Sequence, residues 1–456
     1  MVTRKIKQYY KTTFTEVLQT TFNPNGPGSI RIHLIPPKAD DRTHSSLIMV
    51  NGRDILPCNE YWTVMLAEFI KEVNPFDGQP ITDEILDGIY ERSYQNAKKV
   101  IPFLSEKRFN DNIRRIVHTF KQLSVGEVPD EDIQWVTIGE YADYMSAPHR
   151  MDIMVSGMVK NGNWHCNQKC VHCYAAGQEY AEEPELSTEE WKLALDKCRA
   201  AGIPQVTFTG GEPTMRDDLI DLIAYARWFV SRLNTNGIKL TPEYCEALRK
   251  AELDGLQITF YSHDESTHNA LVGARQYENT LAGIKNALAA GLCPSINTPL
   301  CTLNKDYVKT LEFLHELGVT YVTCSSIIVT GNAETEASKG LQLSVAELKD
   351  ILREAVDYAF KNGMEINFTS PGWLENEFFA ELSIPAPNCG ACLSNMAITP
   401  GGNVVPCQSW LSDNVLGNIL TDEWDAIWSS PFCRKRRGYS SLMLGRCPLR
   451  KGRGGI

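Results

Sequence analysis

The sequence predicts an α/β fold: a partial (β/α)6 TIM-like barrel, preceded by a smaller α+β domain and followed by a small cysteine-bearing domain. Three observations predict it. Between residues 150 and 370, short apolar runs alternate with amphipathic helical stretches, the pattern of a parallel sheet with crossover helices. The first 145 residues lack that rhythm and carry one hairpin signal and three helical patterns. The fourteen cysteines are unevenly spread, with one group inside the barrel region and another after residue 388. Domains over 1–145, 146–370 and 371–456 follow, in keeping with the size of single domains.

In the first domain, apolar residues on both sides of Asn51-Gly52 form a hairpin signal, because a type I′ turn needs positive φ at both central positions. A helix capped by Asn59 follows, with Trp62, Leu66, Phe69, Ile70 and Val73 on one stripe. Thr82 opens a second helix carrying Ile85, Leu86 and Ile89, and a third carries Phe109, Ile113, Ile116, Val117 and Phe120. A small β-ribbon with three helices is expected. Residues 126–134, acidic and containing Gly and Pro, read as a linker.

Composition narrows the function classes. The 45 Lys+Arg and 56 Asp+Glu leave a net charge of -11, which argues against a general nucleic-acid binder. No apolar run is long enough for a membrane span, and the first residues lack the apolar core of a signal peptide, so a cytoplasmic protein without a membrane partner is expected. In that reducing compartment, clustered cysteines bind metal or do chemistry.

In the barrel region, apolar runs at 151–159, 204–209, 231–235, 255–261, 294–300, 319–325 and 364–369 alternate with helices near 188–200, 217–230, 241–251, 277–290, 305–317 and 344–361. Barrel chemistry sits in the loops after the strands. The first such loop contains Trp164-His165-Cys166-Asn167-Gln168-Lys169-Cys170-Val171-His172-Cys173-Tyr174. Three thiolates at CxxxCxxC spacing can wrap one soft metal centre, zinc or iron-sulfur. Zinc would take a fourth ligand from His165 or His172, whereas an iron-sulfur cube held by three cysteines keeps one iron open.

The loop resembles the signature of the radical S-adenosylmethionine (radical SAM) superfamily, CxxxCxΦC with Φ aromatic, matched by Cys166, Cys170, His172 and Cys173. The resemblance continues. Phe208-Thr209-Gly210-Gly211-Glu212-Pro213 is similar to the family's GGEP motif, and Asn234-Thr235-Asn236-Gly237, Ile258-Thr259-Phe260-Tyr261-Ser262 and Asn297 resemble later strand positions near the cofactor. It implies a [4Fe-4S] cluster on Cys166, Cys170 and Cys173, and S-adenosylmethionine held by His172, Gly210, Gly211, Glu212, Asn236, Ser262 and Asn297. The glycines would let backbone approach the methionyl end of the cofactor. The implied chemistry is reductive cleavage of the sulfonium to methionine and a 5′-deoxyadenosyl radical, which takes hydrogen from an unactivated carbon. The sequence departs from the family at one place. Many relatives follow a His with an Arg that pairs the cofactor carboxylate; here His268 is present, Leu271-Val272-Gly273 replaces the Arg, and Arg275 or a backbone contact is left for that role.

The second cysteine group begins Cys389-Gly390-Ala391-Cys392 and continues through Gly402 to Cys407, with a hairpin pattern over 397–407. It resembles the opening of the SPASM domain, an auxiliary iron-sulfur module of radical SAM enzymes that modify peptides and proteins. The closing CxxCxxxxxCxxxC of a full SPASM domain is reduced here to Leu444, Cys447 and Arg453. The resemblance therefore implies one auxiliary [4Fe-4S] cluster, as in the shortened Twitch form, on Cys389, Cys392, Cys407 and Cys447; Cys433 is the alternative fourth ligand and zinc the alternative metal. From residue 434 onward the charged residues are all basic, which reads as a solvated tail or as a seat for an acidic peptide.

With these modules in view, the N-terminal hairpin, the Asn59-capped helix and Asp77-Gly78 resemble, over residues 30–125, the winged-helix recognition element with which maturases of ribosomally made peptides hold a leader as an added strand. The expected activity is a radical SAM maturase of a precursor peptide, forming a crosslink or thioether in preference to epimerising a residue. Its partners would be the leader-bearing precursor and an external one-electron donor such as flavodoxin or ferredoxin. The alternatives are a radical SAM enzyme acting on a small molecule such as a tetrapyrrole or cofactor precursor, and a non-enzymatic zinc-stabilised scaffold. Cys301 and Cys324, expected at the ends of the fifth and sixth strands, are the candidate hydrogen donors that an epimerase would need. The scattered cysteines otherwise read as core fillers.

Overall fold

The computed structural model describes residues 2–22, 29–37, 46–52, 54–77, 79, 81–133, 136–142 and 145–449. It divides into two compact units: Met1–His149 with the short segments Cys198–Pro204 and Trp228–Val230, and the rest of the chain.

The first unit opens with α1 (Val2–Thr12) and an antiparallel meander of β1 (Leu18–Phe22), β2 (Ile30–Ile35), β3 (Ser46–Val50) and β4 (Asp54–Cys58), in that order across the sheet. Helices α2 (Glu60–Val73), α3 (Asp83–Val100) and α4 (Glu106–Ser124) follow, then the single turn α5 (Ile138–Tyr141). Asn51 and Gly52 both take positive φ, 50° and 67°, as the hairpin reading requires. Asn59 caps α2 by accepting from the Tyr61 and Trp62 amides, and Thr82 caps α3 by accepting from Ile85. The expected ribbon is a four-stranded sheet, and α1 was not foreseen. Only Ile6 and Tyr9 of α1 are buried among its charged neighbours, and β1 is mostly polar, so neither carries a strong periodic signal. The predicted apolar stripes do meet in one core, where Leu66, Phe69, Ile70, Ile113 and Phe120 cluster with Ile32, Leu34, Ile48 and Val50. Gly78, Gln134 and the last residues of the basic tail, with Arg453, lie outside the described residues.

The second unit is built on one ten-stranded sheet. Its strands are β5 (Arg150–Ser156), β8 (Gln205–Gly210), β9 (Val230–Thr235), β10 (Gly255–Thr259), β11 (Ser295–Leu300), β12 (Tyr321–Ser326), β13 (Glu365–Phe368), β14 (Asn395–Ile398), β15 (Asn403–Val405) and β16 (Gly417–Asn418); a separate small hairpin pairs β6 (Val159–Lys160) with β7 (Asn163–Trp164). Helices α6 (Thr188–Ala200), α7 (Leu219–Tyr225), α8 (Pro242–Lys250), α9 (Glu265–Val272), α10 (Tyr277–Ala289), α11 (Tyr307–Glu316) and α12 (Val345–Lys361) cross between the parallel strands. The chain ends through α13 (Asn376–Glu381), α14 (Trp424–Trp428) and α15 (Pro431–Ser440).

The strand order is β13-β12-β11-β10-β9-β8-β5-β14-β15-β16. Six βα units are therefore completed by a seventh parallel strand, β13, and the sheet stays open, with β13 and β16 at its two edges. Helix α9 is an additional crossover helix that the sequence pattern did not resolve. Strand β14 pairs in parallel with β5, Ala397 opposite Asp152, and β15 and β16 then add antiparallel. Residues 371–449 thus continue the barrel sheet within the same compact unit.

Candidate functional site

Alternation along the strands separates two faces of the sheet. Leu256, Ile258, Ile296 and Val322 are buried on one face. On the other, Thr323 Oγ1 donates to Asn297 Oδ1 at 3.0 Å and Gln257 Nε2 donates to Thr323 Oγ1 at 3.4 Å, a polar row across β10, β11 and β12. Asn234 and Asn367 share this face by register.

The CxxxCxxC loop follows the small hairpin after β5, and its backbone is held on three sides. On the first, the amides of Lys169 and Val171 donate to the carbonyls of Val272 and Leu271, each at 3.0 Å. Gly273 ends α9 with φ of +63°, so close that a β-carbon there would stand 2.3 Å from the Lys169 carbonyl oxygen. Leu271-Val272-Gly273 is therefore the clamp of the cysteine loop, and Arg275 lies exposed just beyond it. On the second side, the segment after β12 lies over the loop: Asn332 donates from its amide to the Cys173 carbonyl at 2.9 Å and from Nδ2 to the Cys170 carbonyl at 3.2 Å, and Ser338 Oγ donates to the Val171 carbonyl at 2.6 Å. On the third, Gln178 Nε2 donates to the carbonyls of Tyr174 and Ser409, and the Leu411 amide donates to Gln178 Oε1 at 3.0 Å. Sequence reading missed Asn332, Ser338 and Gln178, because a polar side chain that serves a distant carbonyl leaves no local pattern.

Burial pushes the Cys166 thiol up to about 12, and it raises Cys170 and Cys173 as well; in Cys170 the neighbouring Cys173 and Cys166 add to the rise. Thiols buried in an apolar setting, two of them further opposed by their cysteine neighbours, become thiolates when cations share the site, and bound metal does this outright. The donor set therefore fits an iron-sulfur cluster.

Glu212 is buried beside this loop. Its Oε1 accepts from the Thr214 amide, Thr214 Oγ1 and Thr235 Oγ1, whereas Oε2 accepts from the Asn236 amide at 2.8 Å. Oε2 thus keeps the greater share of its acceptor capacity. Desolvation raises the Glu212 carboxyl against the lowering effect of those bonds. Asn236 Nδ2 donates to Asn167 Oδ1 at 2.6 Å and so ties the end of β9 to the cysteine loop. Ser262 Oγ accepts from the Asp264 amide, leaving its hydroxyl proton to donate elsewhere. The His172 ring lies 5.2 Å from that of Tyr261, and its buried Nε2 has no hydrogen-bond partner among the described residues. Gly210 and Gly211 answer first to the protein itself: β-carbons there would meet the Ser156 oxygen at 2.2 Å and the Gly157 oxygen at 2.7 Å.

The second cysteine group surrounds the start of β14 and the end of β15. Cys389 and Cys447 act electrostatically on Cys407, Cys407 acts on Cys392, and Cys433 hydrogen-bonds with Cys392. The five cysteines after residue 388 are thus linked pair by pair within electrostatic range, both candidates for the fourth ligand included. Arg436 Nη2 donates to Cys389 Sγ at 3.7 Å and Arg437 Nη1 donates to Cys433 Sγ at 3.4 Å. The first group also packs on the segment that carries the second: Cys166, Cys173 and Tyr174 lie against an apolar cluster that includes Met154, Ala397 of β14, Val405 of β15 and Leu411.

Comparison with known proteins agrees with this geometry. Residues 165–314 match the model of the radical SAM superfamily, and residues 389–448 match SPASM, an iron-sulfur cluster-binding domain. This is a radical SAM enzyme. It is 27% identical over 288 residues to PqqA peptide cyclase of Streptomyces rochei, covering 59% of this chain and 76% of that one. It is 28% identical over 307 residues to AdoMet-dependent heme synthase of Methanosarcina barkeri (strain Fusaro / DSM 804), covering 62% and 85%. Its fold is similar to that of Streptococcus suis SuiB bound to precursor peptide SuiA, with a TM-score of 0.60 at 15% identity over 90% of this chain and 95% of that one. The two domains imply a [4Fe-4S] cluster, S-adenosylmethionine and auxiliary iron-sulfur binding.

In this radical SAM enzyme, the two candidate hydrogen donors lie near the ends of β11 and β12, where the sequence places them, and both are buried. Cys324 shares its face of β12 with buried Val322, opposite the polar row, and acts on Tyr307 of α11, so it points away from the inner face. Cys301 is buried in an apolar cluster with Tyr261, Leu271, Val272 and Ile327 beneath the cysteine loop. Cys324 therefore does not face the polar row, and Cys301 is closed off by its apolar neighbours. Cys58, Cys198 and Cys245 are buried, as core fillers should be, and Cys293 is exposed at a positive φ of 44°. No helix among the described residues is long and apolar enough to cross a membrane.

Proposed function

We propose that the enzyme modifies a ribosomally made precursor peptide bound through its leader, and that it forms a thioether or carbon crosslink in preference to an epimerised residue. The observation that carries this reading is that Cys166 and Cys173 pack, within one unit, against Ala397, Val405 and Leu411 of the segment that carries the second cysteine group. Crosslinking removes two electrons from the substrate, and two neighbouring one-electron centres suit that demand; epimerisation returns a hydrogen atom and needs no net oxidation. With its cofactors bound, the site would supply a 5′-deoxyadenosyl radical that takes hydrogen from carbon.

The chain's own residues serve that chemistry by holding and shielding. Cys166, Cys170 and Cys173 are the ligands of the first cluster, and Cys389, Cys392, Cys407 and Cys447 those of the auxiliary one. Glu212 Oε2 offers an acceptor for the cofactor's ammonium group, Asn236 and Ser262 contribute at the ends of β9 and β10, and Asn297 faces the inner row. His172, Gly210 and Gly211 complete the cofactor side. The clamp at Leu271–Gly273 and the segment carrying Asn332 and Ser338 satisfy the loop carbonyls and keep water from them.

Three further observations support a peptide substrate. The likeness to precursor-bound SuiB covers 90% of the chain and so extends over most of the N-terminal unit, which supports a leader-holding role there. One relative is a peptide cyclase. The row of Asn234, Gln257, Asn297, Thr323 and Asn367 offers amides and hydroxyls that can pair peptide groups. Similarity to a heme synthase supports a second reading, with a tetrapyrrole as substrate. Anaerobic incubation of the reconstituted enzyme with S-adenosylmethionine, reduced flavodoxin or ferredoxin, and a leader-bearing precursor separates the two. Loss of two hydrogens from the peptide, at least roughly tenfold slower without the leader, is expected; turnover of a tetrapyrrole with an unchanged peptide overturns the reading.

A further inference from the structure

The basic stretch that the sequence leaves between a solvated tail and a peptide seat takes up neither role at Arg436 and Arg437. Arg436 is 5% exposed. Its Nη2 donates to Cys389 Sγ at 3.7 Å, its Nε donates to Ser440 Oγ at 3.4 Å, and its guanidinium lies 4.4 Å from the ring centroid of Tyr439. Arg437 stacks on Trp428 at 3.8 Å and donates from Nη1 to the Trp428 carbonyl at 3.2 Å and to Cys433 Sγ at 3.4 Å. Both cations are therefore positioned by protein partners of their own, and the sulfurs receive them ready-made. Cys433 sits in the first turn of α15, where its amide donates to the Ser430 cap.

Beside the first cysteine loop, by contrast, the buried charged group is the Glu212 carboxylate, which accepts from Thr214, Thr235 and Asn236. Adding an electron makes a thiolate-bound cluster more negative. A fixed cation and N–H···S hydrogen bonds stabilise the reduced state and raise the potential, whereas a neighbouring carboxylate lowers it.

We propose that Arg436, which donates to the ligand Cys389, and Arg437, which donates to Cys433 beside the ligand set, are positioning residues that raise the reduction potential of the auxiliary cluster, so that it accepts the electron released when the peptide crosslink closes. This rests on the crosslinking reading above. The balance is complete: one substrate hydrogen leaves as an atom to the 5′-deoxyadenosyl radical, and the new bond forms between the carbon radical and its partner atom. The resulting radical then gives one electron to the oxidised auxiliary cluster and one proton to solvent.

The test is an anaerobic potentiometric titration, followed by electron paramagnetic resonance, of the full chain carrying Cys166, Cys170 and Cys173 as Ala so that only the auxiliary signal is read. Arg436→Gln should lower the midpoint enough to change the reduced-to-oxidised ratio about tenfold at fixed potential, about 59 mV for a one-electron couple, and Arg437→Gln, whose sulfur partner is not a ligand, should lower it by less. Arg436→Lys should keep most of the parental value, and Arg434→Gln, at an exposed position of the same helix, should leave it unmoved. Iron and sulfide are counted on every sample. Should Arg436→Gln fail to hold its cluster, Arg436→Lys and Arg437→Gln decide the matter. Gln variants with full iron content and the parental midpoint overturn the proposal. A lowered midpoint in a protein that never crosslinks a peptide would instead leave the potential effect standing and refute only the crosslinking reading.

Discussion

Gly273 stands against Lys169 so closely that a β-carbon on the glycine would lie 2.3 Å from the lysine carbonyl oxygen. The residue that ends α9 therefore sets how the cysteine loop is seated, and its φ of +63° is one that side-chain-bearing residues adopt at a cost. Gly273→Ala should combine backbone strain of about 1–2 kcal/mol with displacement of the loop. The expected outcome is loss of iron from the first site with the second retained, read as iron per chain beside the melting temperature. Full iron content and a parental melting temperature would contradict the clamp.

Replacing Cys166, Cys170 and Cys173 together with Ala should abolish cleavage of S-adenosylmethionine, because thiolates are the only protein anchors of the first cluster. Iron at the second group should persist, since none of its cysteines comes from that loop. The measurement is iron and sulfide content together with 5′-deoxyadenosine formation. Iron content equal to that of the parent would sink the ligand assignment.

Cys301→Ala and Cys324→Ala should leave product formation intact, because both thiols are fully buried, Cys301 in an apolar cluster and Cys324 on the face opposite the polar row. Loss of a methylene-sized group from each packed site should lower stability modestly, by about 1 kcal/mol. The decisive measurement is mass spectrometry of peptide treated in deuterated water. A net loss of two hydrogens supports crosslinking; deuterium incorporation that either variant abolishes would overturn it in favour of epimerisation.

Much of the fold was legible because its signals are local. The predicted helix over 188–200 is α6, the run at 294–300 is β11 within one residue, and Asn59 and Thr82 cap the helices assigned to them. Strand β13 was visible as an apolar run, but its place as a seventh parallel strand was not, since pairing order is not written in hydrophobic periodicity. The period-two reading put Cys324 near an active-site end without deciding its face. A single-residue change of parity decides whether a side chain meets substrate or α11.

By itself the sequence determined the chemistry that short-range spacing can encode: three thiols on one loop, the Gly-Gly-Glu turn after β8, the Asn51-Gly52 hairpin and the grouping of the later cysteines. Tertiary structure alone decided how these parts meet. Gln178 reaches Ser409, Asn332 reaches Cys173, and Arg436 and Arg437 turn inward to Cys389 and Cys433. The physical reason is that a backbone carbonyl or a buried sulfur accepts a hydrogen bond from any suitably placed donor, whatever its distance along the chain. Such a contact imposes no spacing on the sequence, and only the folded chain says which donor arrives.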